Sequence, residues 1–521
     1  MAAGAVPGGT APVVVIGAGP VGLTAAILLG RRGVETLLLE RHPAPYPLPR
    51  AVHVDGEVLR ILQEAGIADA FRAVSRPMPG LRLVDARLRT LAEFRRERLV
   101  GESGHPEASM FDQPDLERLL LDRLAGLGTV TLRRGCTVTG VEPRPGGAVV
   151  RWTDAAGAGR EVRAAAVLGC DGAGSTVRGA IGSVPRDLRF AEPWLVVDVR
   201  SPRPLDVWDG VQQVCDPARA ATFMPVTGDR YRWEFRLAPG ESSGDLATPE
   251  RLAALLAPWT GDVPFAELEL IRVATYTFRA RMAETWRSGR VFLLGDAAHE
   301  TPPFVGQGLG AGLRDAHNLA WKLDLVLRGA APERLLDTYQ AERRPHAIRT
   351  VRIAIAAGWA LSGGQDRAAW ARRVLMAAVC RLPGVSPAVL RAYSPPLPRG
   401  PLVRASRWLP SPVGRPLPQA ALPAGWFDDV LGDSFALVTA GHAADAAGTL
   451  PGLRVVRVDR AGPYAAVTSW LERRRLHAAL VRPDRVVLAT ARTAADVGSM
   501  VRAAAAPLTG RTVPARSGAA R

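Results

Sequence analysis

Three short apolar runs along the chain have the pattern of strands that are buried on both faces. They cover residues 12–16, 165–168 and 291–294. Aliphatic runs of this length without polar alternation are typical of parallel strands that are covered by helices. The first run is followed by a helical pattern over 23–32 and by a second strand over 35–39. The chain therefore begins with a predicted βαβ unit.

The apolar stretch 13–30 is long enough to suggest a membrane span. Glycines interrupt it at Gly17, Gly19 and Gly22, and turn-forming residues flank it. We therefore expect a buried strand and a buried helix, with no membrane association.

Between the second and third apolar runs, apolar and polar residues alternate. The alternation is clear at 194–199, 212–215 and 232–236, and Tyr276 and Phe278 continue it. This pattern predicts an antiparallel sheet with one buried face.

The C-terminal part changes character twice. Residues 345–400 look helical and then break into prolines, and 395–423 are rich in Pro, Arg and Ser. Strand patterns at 435–439, 454–458, 479–481 and 486–489 then alternate with helices. The predicted fold is mixed α/β, with domain parts at 1–190 and 286–400, an interleaved sheet domain at 191–285, a linker at 401–423 and a further domain at 424–521.

The net charge of +16 comes almost wholly from arginine, because Lys322 is the only lysine. The arginines are scattered and are not clustered with aromatic residues, so nucleic-acid binding is not expected. The four cysteines form no CxxC pair, which disfavours a zinc site and a disulfide framework and favours a reducing cytoplasm. No basic segment typical of a signal peptide opens the sequence.

The glycines after the first strand have the spacing of a dinucleotide-binding, Rossmann-type turn. Gly17 permits a tight turn, Gly19 lets backbone approach a pyrophosphate, and Gly22 lets helix and strand pack closely. The helix N-terminus attracts phosphate. Glu40 follows about 20 residues later, where a carboxylate binds ribose hydroxyls. This unit alone does not distinguish FAD from NAD.

Similar arrangements follow the other two apolar runs. Asp171 begins an Asp-Gly motif after the second run, and Gly295-Asp296 begins a longer motif after the third. That motif continues through Pro302 to Gly308, and a helix is predicted to open near Gly312. Three strand ends of this kind suggest convergence on one extended ligand.

The three motifs resemble those of the FAD-dependent aromatic hydroxylases, the group A flavoprotein monooxygenases. Segments 48–51, 113–117, 336–344 and 481–485 also look like parts of 3-(3-hydroxyphenyl)propionate hydroxylase and of polyketide-tailoring oxygenases. The resemblance implies FAD as cofactor and NADPH or NADH as transient co-substrate. The implied FAD-binding residues are Gly17, Gly19, Pro20, Gly22, Glu40, Arg41, Arg50, Gln113, Asp171, Gly295, Asp296, Pro303, Gly306, Gly308 and Gly310.

The sequence departs from the family pattern in two places. Gly310 stands where many members have Asn, so a backbone donor would replace the Asn side chain there. Glu57 and Arg60 carry the charges of a common Arg-Thr-Leu-Glu segment in exchanged order, so that a salt bridge could survive with reversed polarity.

The resemblance implies hydroxylation of a phenolic substrate by O₂ through a flavin C4a-hydroperoxide. His53 is the candidate base, with a structural role as its alternative. His299 is expected to be structural. The pocket candidates in the sheet, each with core packing as the alternative, are Gln213, Phe223, Met224, Pro225, Trp233, Phe235, Tyr276 and Phe278. The domain at 424–521 resembles a thioredoxin fold without redox activity, used for packing or homodimerisation.

Several other functions compete with this one. The same enzyme type could perform epoxidation or Baeyer–Villiger oxygenation in antibiotic biosynthesis. A flavin halogenase is disfavoured because no W-x-W-x-I-P segment is present. The second and third motifs disfavour a nicotinamide-only dehydrogenase. A flavin-sequestering protein without turnover would be excluded by substrate-stimulated oxidation of NAD(P)H.

Overall fold

A computed structural model describes residues 11–96, 100–216, 218–362, 394–405, 411–441, 450–460 and 462–509. The chain divides into two compact units. The first comprises residues 1–101, 105–316 and 347–394, and the second comprises 102–104, 317–346 and 395–521.

The strands are β1 (Val13–Ile16), β2 (Thr36–Leu39), β3 (His53–Asp55), β4 (Ser75–Pro77), β5 (Gly80–Val84), β6 (Thr90–Arg95), β7 (Ala108–Phe111), β8 (Val130–Arg133), β9 (Thr137–Arg144), β10 (Gly147–Thr153), β11 (Gly159–Ala164), β12 (Ala166–Gly169), β13 (Pro185–Arg200), β14 (Val211–Val214), β15 (Ala221–Pro225), β16 (Arg230–Arg236), β17 (Glu269–Ala283), β18 (Arg287–Ser288), β19 (Val291–Leu293), β20 (His299–Glu300), β21 (Ala421–Leu422), β22 (Gly425–Trp426), β23 (Ala436–Thr439), β24 (Arg454–Arg457), β25 (Ala478–Val481) and β26 (Val487–Ala491). The helices are α1 (Pro20–Arg31), α2 (Gly56–Ala65), α3 (Ala68–Ala73), α4 (Gln113–Ala125), α5 (Thr176–Ala180), α6 (Ser243–Leu246), α7 (Pro249–Thr260), α8 (Gly308–Leu327), α9 (Asp337–Ser362), α10 (Phe427–Leu431), α11 (Ala465–Arg473) and α12 (Ala494–Thr509).

The three apolar runs form neighbouring strands of one sheet, with the order β18-β19-β12-β1-β2-β8. β1 pairs in parallel with β12 and β2, and β12 pairs in parallel with β19. All four residues of β1 are buried, as expected for a strand covered on both faces. The stretch 13–30 is thus a strand and a helix, as predicted. Over the described ranges, no helix combines the length and apolarity needed to cross a bilayer.

The predicted antiparallel sheet is present and has eight strands, in the order β20-β17-β13-β16-β15-β14-β5-β6. Its predicted limits, 191–285, are too narrow, because β5 pairs in parallel with β14 and brings β6 with it. One face of the sheet packs against α7 around Phe223, Trp233 and Trp259. The opposite face is therefore free to line a site.

The second unit contains a four-stranded sheet in the order β24-β23-β25-β26. β23 is parallel to β24 and antiparallel to β25, and β25 and β26 form an antiparallel pair that precedes α12. This arrangement does not conflict with the thioredoxin-like expectation, which stays a prediction.

The predicted linker at 401–423 is wrong for the residues that the structure describes there. Leu402 and Leu417 have no exposed surface, and Val403 is 1% exposed. Val403 and Leu417 belong to the core of the second unit. Removing these apolar side chains from water stabilises the fold, and a segment that stayed solvated as a linker would lose that stabilisation. The helical prediction for 345–400 holds as far as Ser362, while residues 363–393 and Cys380 lie outside the described residues.

Candidate functional site

The three predicted motifs begin at the carboxyl ends of adjacent strands. Ile16 is in register with Gly169, and Gly169 is in register with Leu293. In an open parallel sheet, ligands bind at this edge. The predicted convergence of the three motifs is therefore present in the fold.

The first turn shows a different role for each glycine. A Cβ on Gly17, where φ is +98°, would lie 2.5 Å from the carbonyl oxygen of Cys170, and one on Gly22 would lie 1.9 Å from that of Gly17. A Cβ on Gly19 would meet no atom within 4 Å. Gly17 and Gly22 are thus required by the fold, whereas Gly19 faces open space at the N-terminus of α1, where Pro20 is the first residue. That space fits a pyrophosphate.

Glu40 supports the same turn, a role that the sequence analysis did not foresee. Its carboxylate accepts hydrogen bonds from the backbone N–H of Ala18 at 2.7 Å and of His42 at 2.8 Å. Arg41 points away and donates from Nε to the His42 ring at 3.1 Å. Glu40 therefore fixes the turn, and each carboxylate oxygen keeps a lone pair for a ribose hydroxyl.

Asp171 is occupied by its own motif. Its oxygens accept hydrogen bonds from Ser175 Oγ at 2.5 Å and from the N–H of Val177 at 3.1 Å. Arg178 donates to the carbonyl oxygens of Ala173 and Ala297. The Asp-Gly motif thus holds the second and third strand ends together, and direct cofactor binding by Asp171 stays a prediction.

The third motif presents a free carboxylate. Asp315, fully buried, accepts hydrogen bonds from the N–H of Gly295 at 3.1 Å and from His299 Nε2 at 2.8 Å, and so fixes the loop. His299 is therefore structural, as expected. Asp296 is exposed and has no hydrogen-bond partner among the described residues. It is free to accept a hydrogen bond from a hydroxyl group, as the predicted ribityl contact requires.

Gln113 positions the segment that carries Arg50. Its Oε1 accepts a hydrogen bond from the N–H of Ala51 at 2.8 Å, and its Nε2 donates to Glu117 at 2.7 Å. The Arg50 guanidinium lies over the Tyr46 ring, 4.3 Å from its centre. Arg50 itself remains available to an anionic ligand.

A buried charge network around Arg314 includes Glu57 and lies against Gly310. Arg314 donates to Asp55 at 2.6 Å, to Glu57 at 2.7 Å and to Gln307 at 3.1 Å. Glu57 thus forms a salt bridge with Arg314, while a bridge that preserves the exchanged Glu57 and Arg60 charges stays a prediction. A Cβ on Gly310 would lie 2.9 Å from Arg314 Nη1. Because Gly310 has no side chain, it leaves room for Arg314. The helix α8 that contains Gly310 begins at Gly308, and not near Gly312 as predicted.

Gly310→Asn, which restores the common family residue, is expected to destabilise the protein by about 1–3 kcal/mol, since overpacking displaces Arg314 from Asp55. Thermal unfolding and the FAD content of the purified protein measure the effect. Gly308→Ala is the control, because the nearest atom to its Cβ, the Thr301 oxygen, is 3.9 Å away. Equal melting temperatures for the two variants would contradict this account.

A cavity of about 230 Å³ lies between the motif loops and the free face of the eight-stranded sheet. Its lining is mostly apolar and includes Pro303, Gly306 and Gly308 of the third motif. The remaining lining residues are Arg50, Ala51, Val52, His53, Met78, Leu81, Arg96, Met110, Val211, Gln213, Thr222, Met224, Glu234, Thr301, Phe304, Val305 and Leu309. Such a mixture of apolar walls and few polar groups is typical of a small-molecule site.

His53 is held in this cavity by the third motif. Its Nδ1 lies 3.4 Å from the carbonyl oxygen of Gly306, and its Nε2 has no partner among the described residues. A Cβ on Gly306 would lie 2.6 Å from that ring. Burial and the charge of Arg96 lower the pKa of His53 to about 4. The imidazole is therefore neutral at pH 7, which makes it a weak base but a usable hydrogen-bonding group.

The strand pleat divides the predicted pocket residues. Gln213 and Met224 line the cavity, whereas Phe223, Trp233 and Phe235 pack in the core on the other face, so their assignment to the pocket is wrong. Neighbouring residues of a strand point to opposite faces. Among the pocket residues that the sequence analysis missed, Thr222 and Glu234 lie next to the aromatic residues that it chose.

The three remaining candidates lie outside the cavity lining. The Pro225 carbonyl accepts a hydrogen bond from Arg76, and the Tyr276 hydroxyl accepts one from Arg272 at 3.0 Å. Phe278 stacks on Trp194, and both rings contact the edge of Phe304, which does line the cavity. Phe278 thus supports the wall without forming it.

The sequence matches the family described as FAD binding domain over residues 10–354. It is 34% identical to a probable NADH-specific resorcinol 4-hydroxylase of Rhodococcus jostii, over 96% of either chain. It is 36% identical to a 3-(3-hydroxy-phenyl)propionate/3-hydroxycinnamic acid hydroxylase of Burkholderia vietnamiensis, over 82% of this chain and 78% of that one.

A similar solved structure is a ternary complex of aklavinone-11 hydroxylase with FAD and aklavinone. The TM-score is 0.78 at 27% identity, and the match covers 97% of this chain and 100% of the other. The open space at Gly19 and the free carboxylate of Asp296 fit FAD. The chain therefore belongs to the FAD binding domain family, and it is a FAD-dependent monooxygenase of the aromatic hydroxylase type.

Proposed function

We propose that this enzyme hydroxylates a small, single-ring phenol, with resorcinol and meta-substituted phenols as the first candidates. The observation that supports this is the cavity of about 230 Å³. A dry cavity of about 150 Å³ binds benzene, so this one suits one substituted ring better than a fused polycyclic substrate. Relatives named for resorcinol and for 3-(3-hydroxyphenyl)propionate support the same class.

FAD, when bound and reduced by NADH or NADPH, would activate O₂, from which the ring would receive one oxygen atom. The protein binds the ring and excludes water with the apolar side chains of the cavity, among them Met78, Met110 and Met224. The free Nε2 of His53 would form a hydrogen bond with a substrate hydroxyl and orient the ring. His53 would thus be a positioning group more than the base that the sequence analysis suggested.

The purified protein is expected to be yellow and to oxidise NADH faster when resorcinol is added. Mass and NMR analysis of the product should show that one oxygen has been added as a hydroxyl group on an intact aromatic ring. The corresponding dimethyl ether, which has no hydroxyl proton to donate, is the control and should be turned over poorly. A lactone or an epoxide would favour the alternative oxygenations, and NADH oxidation that no phenol stimulates would contradict the proposal.

Two further assignments are part of this proposal. A cytoplasmic location agrees with cysteines that form no CxxC pair. Homodimerisation is proposed for the C-terminal domain, for which a redox role is not expected. Size-exclusion chromatography with light scattering tests the second assignment, and a monomer would exclude it.

A further inference from the structure

Glu234 stands out among the residues that line the cavity. It is the only carboxylate among the described lining residues. It forms no hydrogen bond or ion pair with any described residue, although it is partly buried. A carboxylate removed from water usually has a partner, because leaving it without one is costly. Its oxygens are therefore available to a molecule in the cavity.

The strand geometry fixes the direction of this side chain. Trp233 and Phe235, on either side of Glu234 in β16, are fully packed into the core on the opposite face. Glu234 is in register with Thr222 of β15 and with Val196 of β13. Because both neighbours anchor the strand, Glu234 cannot turn away from the cavity without breaking the core.

The nearest charges do not neutralise Glu234. Arg232 and Arg272 both donate to Asp198, at 2.6 and 2.9 Å, and Arg232 also donates to the carbonyl oxygens of Pro49 and Arg50. These guanidinium groups lower the pKa of Glu234, but burial raises it more and Asp198 adds to the increase. Across the cavity lie the neutral His53 and the cations Arg50 and Arg96.

We propose that Glu234 is a catalytic residue that accepts the proton of the substrate's phenolic hydroxyl. The O–H bond of the phenol breaks, the proton bonds to a carboxylate oxygen of Glu234, and the electron pair stays on the phenolate oxygen. The ring becomes more electron-rich and is a better nucleophile toward the oxygen that the bound flavin supplies. This inference rests on the proposed function and adds to it a preference for substrates that present a neutral hydroxyl.

Glu234 is better suited to this role than His53. A general base works best when its pKa approaches the working pH. The pKa of Glu234 is raised above its ordinary value of 4.5, while that of His53 is lowered to about 4. His53 Nε2 would accept a hydrogen bond from another hydroxyl of the substrate, because Nδ1 faces the Gly306 carbonyl oxygen and therefore carries the proton of the neutral ring.

Glu234→Gln tests the proposal, because it keeps the shape and removes the ionisable group. With a neutral phenol, kcat/KM should fall about 100-fold or more, since general base catalysis contributes at least about that factor. With a nitro-substituted phenol that is already ionised across the assay range, activity should stay within about threefold of wild type. FAD content should be unchanged. Glu269→Gln is the control, because Glu269 pairs with Arg200 at the surface of the same sheet.

A binding measurement provides a second readout. Calorimetric titration of the holoenzyme without NADH should show that the ionised phenol binds Glu234→Gln more tightly than wild type, because the repelling carboxylate is gone. Glu234→Asp should restore part of the activity toward the neutral phenol. The proposal would be overturned if Glu234→Gln changed kcat/KM by the same factor, relative to wild type, for the neutral and the ionised phenol.

Two controls keep the test decisive. If Glu234→Gln loses its FAD or its thermal transition, wild type decides, because its kcat/KM for the neutral phenol should fall in acid with a midpoint above pH 4.5. The fall of kcat/KM in acid should be absent with the ionised phenol. A fall with both the neutral and the ionised phenol would overturn the proposal. If wild type hydroxylates no phenol, the proposed function fails. If wild type hydroxylates phenols and Glu234→Gln has the same activity, only this inference is rejected.

Discussion

Gly19→Val is expected to abolish FAD retention while leaving the fold intact. The backbone at Gly19 has φ −75° and ψ 179°, which any residue adopts, and a Cβ there meets no protein atom within 4 Å. A valine side chain would instead occupy the space at the N-terminus of α1 that fits the pyrophosphate. We expect the Kd for FAD to rise about 100-fold or more, equivalent to about 2.7 kcal/mol. Fluorescence titration of the apoprotein with FAD measures it.

Gly140→Val provides the matched control. A Cβ on Gly140 also meets no atom within 4 Å, but this residue lies in β9, within a different sheet. After removal of FAD, the two variants should melt at similar temperatures. As purified, only Gly140→Val should contain FAD and be yellow. Normal FAD affinity in Gly19→Val would place the cofactor elsewhere and would undermine the site described above.

Glu342→Gln is expected to lower the free energy of unfolding of the second unit by about 3–5 kcal/mol. Glu342 is 1% exposed and accepts hydrogen bonds from Lys322 at 2.8 Å and from Arg482 at 3.0 Å. Both cations have no exposed surface. The substitution leaves them buried with too little negative charge, since Asp484 is the remaining acid beside Arg482. Denaturant unfolding followed by the fluorescence of Trp321 and its neighbours reports the loss.

The pH dependence of this difference has a defined sign. The Arg482 and Lys322 cations hold the pKa of Glu342 at about 2, below its ordinary value of 4.5. A depressed carboxylate pKa stabilises the folded state above pH 4.5, and this stabilisation is lost as the pH falls toward 2. Wild type and Glu342→Gln should therefore converge in acid.

Glu472→Gln is the control for this prediction. Glu472 forms an ion pair with Arg460 at the protein surface, and such pairs contribute little because water screens them. No measurable change in stability is expected. If both variants lost a similar free energy of unfolding, burial would not be the reason that the ion pairs around Lys322 stabilise the protein.

The nucleotide-binding part of the fold could be predicted because its pattern is local. The strand, turn, helix and second strand of the first βαβ unit follow from apolar runs and glycine spacing, and the structure confirms them within a few residues. The convergence of the three motifs followed from the same patterns, since parallel strands end at one edge of the sheet. The order of the strands, however, is set by tertiary packing.

The cavity was harder to predict, because residue type alone does not say which face of a strand is buried. In β15 and β16 the residues that face the helix and those that face the cavity are all at least partly buried, so an aromatic residue at Phe223 or Trp233 fits a pocket or a core equally well. The roles of Glu40 and Gly310 depend on partners distant in sequence or on packing between side chains, which a single sequence does not reveal. The linker prediction failed because proline-rich segments can also cover a core, as Leu417 does.

The alternation along β15 and β16 separates contact with the ligand from packing of the sheet, because adjacent residues point to opposite faces. Thr222, Met224 and Glu234 face the ligand space, while Phe223 and Trp233 hold the sheet against its helix. Evolution can therefore retune which aromatic compounds are accepted by exchanging every second amino acid of these strands, without eroding the scaffold. Laboratory libraries that aim at new substrates can follow the same rule and diversify the ligand-facing set alone.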